Sequence, residues 1–356
     1  MNTATINQID QLLKNSGLFP EEGIPTQNIS NFNFSNETIL ITGAAGSIGS
    51  ELSKQLINCQ YKKLILIDIA ESPLYHLINE PEFENASNIH FLILNITEKD
   101  AIQHLFETYK PTIILHAAAY KHVPLMEANP FESIKVNISG TKRLADLAHI
   151  HNVKKFIFIS TDKAVNPKSV MGISKRIATD YLMSLSEKSQ TRFLTTRFGN
   201  VLGSNGSVVP LFKKRIEMGK PLIITNKAIS RYFINTQKAC HLILELTNDN
   251  HEKSNLFTFN MGNPIKIIDL VERLILFCNK KDVDVQFSEL RPGEKVYEDL
   301  FSDNETLLAT TNKDILLVKK KQEHHFSLDF LERLFKINAF TPHHEVKAIL
   351  KSYISN

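Results

Sequence analysis

Tryptophan is absent from the 356 residues, and cysteine occurs only three times, at Cys59, Cys240 and Cys278. Three scattered thiols make no disulfide framework and read as reduced cysteines of a cytosolic compartment. No apolar run approaches the roughly 18 residues that span a bilayer. The amino terminus, Met1 to Gly17, lacks the basic and then apolar halves of a signal peptide. An excess of one charge is missing too. There are 41 Lys and Arg against 38 Asp and Glu, a net of +3 with the signs interspersed. Nothing there implies a nucleic-acid or polyanion partner. Internal repeats and long low-complexity tracts are lacking. What remains is 42% hydrophobic and 22% charged, enough for one large α/β domain and a smaller one.

Residues 1–36 are a polar leader with Ile6, Ile9, Leu12 and Leu13 at helical spacing. They predict a helical arm for packing or oligomerisation, with no chemistry. Then the period changes. Thr38 to Thr42 is a short apolar strand, followed by Gly43, Gly46 and Gly49 and a helix through Asn58. Glycines at that spacing permit a tight turn and close backbone approach, so the helix start can hold a pyrophosphate. The spacing is G-x-x-G-x-x-G, not the common G-x-G-x-x-G. A second strand, Lys63 to Asp68, ends in an acid nineteen residues after Gly49. A carboxylate there accepts from both ribose hydroxyls and repels a 2′-phosphate, which favours NAD over NADP. A helix N-cap is the alternative reading of Asp68.

The alternation continues. Ile89 to Leu94 is a third strand, ending at Asn95 and Ile96 near the expected adenine edge. Thr112 to His116 is a fourth, followed by Ala117, Ala118 and Ala119, small enough for a cofactor to lie close. Phe131 to His151 reads as one long helix; Lys154 to Ser160 and Thr191 to Arg197 are further strands. This predicts an α/β fold, a Rossmann-type doubly wound parallel sheet over residues 37–198 that later segments can join. Residues 199–318 form a smaller α/β substrate-binding domain, and residues 319–356 a helical tail. Three short strands are expected in the second half, near 222–225, 256–260 and 283–288.

The chemistry gathers at the fifth strand's end. Ser160, Thr161, Asp162 and Lys163 arrive there, while Met171 and Lys175 share one face of a helix starting near Val170. On spacing alone, Asp162 and Lys163 are equally an ion pair, and Met171 a core filler. Arg291-Pro-Gly-Glu-Lys295 sets an arginine and a carboxylate across a fixed turn. That is either a phosphate clamp or a surface turn. His324-His325 and His343-His344 lack the spacing and company of a metal site, and no metal is expected.

Six stretches together resemble the UDP-N-acetylglucosamine 4,6-dehydratases of bacterial surface-polysaccharide synthesis, which are extended short-chain dehydrogenase/reductases. They are Thr42-Gly-Ala-Ala-Gly-Ser-Ile-Gly49, His116 to Glu127, Ser160 to Pro167, Val170 to Lys175, Arg197 to Ser204 and Arg291 to Lys295. The superfamily's Tyr-x-x-x-Lys is here Met171-x-x-x-Lys175, the pattern of a methionine branch. Many members carry an amino-terminal membrane region where this chain has residues 1–36. The resemblance therefore implies a soluble, cytoplasmic homo-oligomer with NAD and a UDP-sugar substrate.

It also implies roles. Lys163 becomes the base that removes the C5 proton, which needs a lowered pKa. Asp162 becomes the acid for the C6 hydroxyl, which needs a raised one. Thr161 bonds O4 and Lys175 the nicotinamide ribose. Met171 takes no proton, so the O4 proton leaves through Asp162 or a water beside Thr161. Ser47 and Ile48 belong with the glycine turn at the cofactor. Lys121 and His122 flank substrate and cofactor, and Asn137 supports the backbone network or is simply a buried helix residue. Asn200, Ser207, Val208, Arg291 and Glu294 hold the UDP part, with Arg215 and Arg231 as further candidates. Two rivals stay open, a UDP-sugar 4-epimerase and a catalytically silent NAD-binding protein.

Overall fold

The computed structural model describes residues 1–19, 32–249, 255–321 and 326–355. Helix α1 (Thr3–Lys14) is capped by Asn2 and followed by β1 (Asn33–Thr42), α2 (Ser47–Leu56) and β2 (Gln60–Asp68). Next come α3 (Glu71–Ile78), β3 (Ile89–Ile93), α4 (Lys99–Tyr109) and β4 (Ile113–His116). The cores of β1, β2 and β4 are buried on both faces, as parallel strands between helix layers must be, while β3 at the sheet edge is only half-buried.

The expected helix from Phe131 to His151 is unbroken to Ile150, but it widens in its middle. Helix α5 (Val123–Ala128) and α6 (Pro130–Ser133) lead into a π-helical stretch, Ile134–Gly140, before α7 (Thr141–Ile150). The wider turn carries Asn137, which is buried and holds the loop before α5. Its Oδ1 accepts from the Tyr120 amide at 2.9 Å, and its Nδ2 donates to the Tyr120 carbonyl at 2.9 Å and to Ser174 Oγ at 3.0 Å. A π-bulge at such a place aims one side chain where an α-turn would not.

Strand β5 (Lys155–Thr161), α8 (Val170–Ser186) and β6 (Arg192–Phe198) complete the first half. Beyond it lie β7 (Asn200–Leu202), α9 (Val208–Glu217), β8 (Leu222–Ile224), β9 (Ser230–Arg231), β10 (Phe233–Asn235) and α10 (Thr236–Asn248). Then follow β11 (Asn255–Phe259), β12 (Ile265–Lys266), α11 (Ile267–Phe277) and β13 (Val285–Phe287). The chain ends with β14 (Glu305–Ala309), β15 (Ile315–Lys320), α12 (Leu328–Phe335) and α13 (His343–Ser355).

The large sheet runs β14-β15-β11-β6-β5-β4-β1-β2-β3. It is parallel from β3 to β11, and β15 and β14 add antiparallel at the far edge. Strand β11, expected among the second-half strands, pairs with β6 in this sheet, and Lys319 and Lys320 end β15 instead of opening a helical tail. The order reverses between β1 and β4, so the crevice for a ligand opens beyond their carboxyl ends. Arg197 on β6 is fully buried and donates twice to Glu305, at 2.8 and 3.1 Å. That pair ties β6 to the far edge of the sheet.

A second unit joins β7 to β10, β9 to β12 and β8 to β13, covered by α9 and α11. Helix α1 docks here. Ile9 and Leu13 are fully buried in this unit's core, and Asp10 receives two bonds from Arg273 at 2.7 and 2.6 Å. Cys59, Cys240 and Cys278 are free thiols. Among the described residues, no helix is long and apolar enough to cross a membrane.

Candidate active site

The glycine turn is a close approach of two backbones. Gly43 has φ +67, and a Cβ there would stand 2.7 Å from Ala118 Cα; a Cβ on Gly49 would stand 2.0 Å from the Gly43 carbonyl oxygen. No side chain caps the start of α2, whose first turn lines the cleft. Uncapped amides at a helix start, over a cradle with no room for a methyl group, fit a pyrophosphate.

Two adjoining cavities share Gly43, Gly46, Ala117, Ala119 and Tyr120. The first, about 410 Å³, contains Asp68, Asn95, Ile96 and Ala118. Asp68 is not a helix N-cap, since α3 is capped at Ala70. Its Oδ2 accepts from the Ala45 amide and its Oδ1 from the Ala70 amide, each at 2.9 Å. The carboxylate thereby fastens the glycine turn to the end of β2.

The second cavity, about 460 Å³, reaches from Ser47, Ile48 and Gly49 to Thr161, Lys163, Met171 and Lys175. Lys121, His122, Asn200 and Ser207 lie on its far side. Lys121 Nζ donates to Ser204 Oγ at 3.4 Å. Burial lowers the pKa of Lys121; burial and then the Lys121 charge lower that of His122. Sequence reading passed over Tyr120, Ser204 and Asn205, which also line this cleft. Tyr120 stands inside the His116 to Glu127 stretch, and Ser204 ends the Arg197 to Ser204 stretch with Asn205 just beyond it, so those stretches carry the available signal.

Lys175 is buried on α8, with its ammonium 4.0 Å above the Phe158 ring. Burial lowers its pKa to about 7, so the amine exchanges a proton near neutrality. His116 lies beneath, with Nδ1 2.7 Å from Thr42 Oγ1 and Nε2 2.9 Å from Thr141 Oγ1. Burial first, and Lys175 second, push the His116 pKa well down, so this imidazole is a neutral strut between β1 and α7.

Lys163 Nζ donates to Asp162 Oδ1 at 3.0 Å and to Asn200 Oδ1 at 3.1 Å. Asp162 is fully buried, behind the cleft wall, and Thr161 Oγ1 donates to the same Oδ1 at 2.9 Å. Its Oδ2 has no hydrogen-bond partner. Thr161 and Lys163 both line the cleft, and both reach this acid through the same oxygen. Met171 lines the cleft and belongs to the hydrophobic core at once.

Besides Asp162 and Asn137, five of the expected residues lie outside both cavities. Val208 begins α9 and is half-buried in the second unit. Arg215 donates to the Pro221 carbonyl at 2.7 Å. Arg231 is buried and donates to the carbonyls of Ser230, Lys295 and Val296 at 2.7, 2.7 and 3.0 Å. Arg291 is 57% exposed and pairs with Glu294 at 3.1 Å. Burial pushes the Glu294 pKa up, but the Arg291 bonds outweigh it and hold it low. His324 and His325 fall outside the described residues, among which no cluster suits a metal ion.

Comparison with known proteins bears on this geometry. The model of a polysaccharide biosynthesis protein family matches residues 39–320. The chain belongs to this family. It is 46% identical over 275 residues to the capsular polysaccharide biosynthesis protein CapD of Staphylococcus aureus, covering 76% of this chain and 46% of that one. The chain thus spans about half of that relative's length. It is 34% identical over 282 residues to a UDP-N-acetylglucosamine 4,6-dehydratase (inverting) of Campylobacter jejuni, covering 78% and 80% of the two chains. The solved structure of Pen from Bacillus thuringiensis superposes with a TM-score of 0.73 at 31% identity, covering 81% of this chain and 90% of that one. The fold is that of an extended short-chain dehydrogenase/reductase.

Proposed function

We propose that the protein dehydrates UDP-N-acetylglucosamine to UDP-2-acetamido-2,6-dideoxy-hexos-4-ulose with NAD, an early cytoplasmic step toward a bacterial surface glycan or deoxy-amino sugar. The observation that carries this reading is the chain of contacts Thr161 to Asp162 to Lys163, two hydrogen bonds of 2.9 and 3.0 Å on one carboxylate oxygen. A hydroxyl, an acid and an amine in series suit an elimination, and a 4-epimerase has no use for the last two. The dehydratase name of the Campylobacter jejuni relative supports it.

A bound nicotinamide dinucleotide would take hydride from C4 and return it to C6. Gly43, Gly46, Gly49 and Asp68 would hold its adenosine half, and Lys175 its nicotinamide ribose. Residues of the chain move the protons. Thr161 accepts the O4 proton as it passes its own to Asp162, which makes Met171 unnecessary as a base. Lys163 takes the C5 proton. Asp162 returns its proton through Thr161 to O6, and the C6 hydroxyl leaves as water. Lys163 then gives its proton back to C5. The proton lost from O4 departs in the water, so the chain ends as it began.

A second reading, 4-epimerisation, is favoured by relatives named UDP-glucose 4-epimerase. Incubation with UDP-N-acetylglucosamine and NAD separates the two. Loss of one water by mass spectrometry supports dehydration, and an unchanged mass with a new sugar resonance supports epimerisation. No turnover points to a silent dinucleotide binder. An Asp162→Asn variant that kept the full rate of C4 oxidation in a single turnover would remove Asp162 from the proton path.

A further inference from the structure

We infer that Glu298 is a positioning residue of the elimination, an anion set beside Lys163 to stabilise the ammonium that forms as the C5 proton is taken. The inference rests on the dehydratase reading. The Glu298 side chain is buried, with Oε1 4.0 Å from Lys163 Nζ and Oε2 3.5 Å from Lys295 Nζ. Oε2 accepts no hydrogen bond, because the Lys295 ammonium is turned to the Val165 carbonyl at 2.8 Å. Glu298 therefore has charge to spare for Lys163. Among the described residues, Asp162 and Glu298 are the carboxylates within 4.0 Å of that amine.

Proton counting separates their duties. Once Asp162 has taken the O4 proton it is neutral, and it cannot stabilise Lys163 at the moment Lys163 becomes a cation. Glu298 is the carboxylate left to do so. A fixed charge aimed at charge that develops in the transition state is worth more in a buried site than in water. The backbone is built to hold it there, since Arg231 grips the carbonyls of Lys295 and Val296 just before it. Burial raises the Glu298 pKa; Lys163 opposes this, Asp162 adds to it, and Lys295 and Arg231 oppose it.

Two variants of opposite sign test the idea. Glu298→Gln removes the anion and is expected to lower the Lys163 pKa, whereas Lys295→Gln frees Glu298 and is expected to raise it. The Lys163 titration is read by NMR after isotope-labelled reductive methylation, with the signal assigned through Lys163→Arg. In turnover, Glu298→Gln is expected to lose roughly tenfold to a hundredfold in kcat. With C5-deuterated UDP-N-acetylglucosamine its isotope effect should grow, and the acidic limb of its pH profile should move to lower pH. Glu298→Asp, which keeps the charge, should recover part of the loss. An unchanged titration, or shifts of the same sign in both variants, overturns the inference whether or not sugar is turned over. If Glu298→Gln does not fold, Lys295→Gln carries the test alone. Failure of the unaltered protein to release water from the sugar sinks the dehydratase reading instead.

Discussion

Gly172 stands so close to Lys163 that a Cβ on it would lie 2.2 Å from the Lys163 carbonyl oxygen. The first turn of α8 is thereby pressed against the loop that follows β5. Ser169 caps that turn by accepting from the Gly172 amide at 3.1 Å. The contact couples Lys163 on one element to Met171 and Lys175 on the other. Gly172→Ala must push them apart. A cost of about 1–3 kcal/mol is expected in urea unfolding, with a fall in kcat for dehydrated product. A variant of normal stability and rate would show that the turn yields freely.

Lys175 makes stability depend on pH in an unusual direction. Its pKa falls from 10.5 to about 7 in the folded protein. Between those limits the unfolded chain binds more protons than the native state, so stability from this position rises with pH. Below pH 7 the full penalty of a buried ammonium is present, offset in part by the Phe158 ring. Lys175→Met is expected to stabilise the protein more at about pH 6 than at about pH 9, by roughly 2 kcal/mol. Denaturant midpoints at the two pH values measure it, and an equal gain at both would contradict the burial argument.

Two arginines expected to do similar work should part company. Arg231→Leu strands three carbonyls inside the protein, at a cost of roughly 3 kcal/mol in thermal or urea unfolding. Arg291→Ala removes a side chain that is 57% exposed and should change stability by less than about 0.5 kcal/mol. If Arg291 meets the UDP group, KM for the sugar nucleotide rises while kcat holds. A KM unaffected by Arg291→Ala would return it to the surface turn.

If Asp68 accepts from the ribose hydroxyls as well as from two backbone amides, its loss should show twice. Asp68→Ala frees the Ala45 and Ala70 amides as well as removing the proposed ribose acceptor. Fluorescence titration with NADH is expected to give roughly tenfold weaker binding or worse. On the same reading the unaltered protein prefers NADH to NADPH, and that preference should shrink in the variant. An unchanged preference would remove Asp68 from the choice of cofactor.

How much of this was readable beforehand depended on whether the signal was local. The turn at Gly43, Gly46 and Gly49, the acid ending β2 and the group after β5 are each written in a dozen consecutive residues, where period and turn chemistry speak directly. Sheet membership is not local. The run at Asn255–Phe259 looks like any short apolar strand, and only its pairing with β6 puts it in the large sheet. The π-helical stretch depends on Asn137 reaching Tyr120, a contact no periodicity encodes. Arg231 and Arg291 look alike as letters; burial against three carbonyls separates them. Glu298 carries no motif of its own, because its meaning comes from Lys163, far away in the chain.

The grip of α13 on α8 bears on the order in which the molecule matures. Tyr353 donates to Asp180 on α8 at 3.0 Å, and Lys347 pairs at 3.2 Å with Glu127, which accepts from the Val170 amide at 2.8 Å. Synthesis runs from the amino end, so the dinucleotide crevice has its parts while these anchors are still unmade. Val346, Leu350 and Tyr353 of α13 join the same hydrophobic core as α8 only once α13 has left the ribosome. A nascent chain therefore passes through a stage with part of that core uncovered, and shortening α13 would prolong that stage.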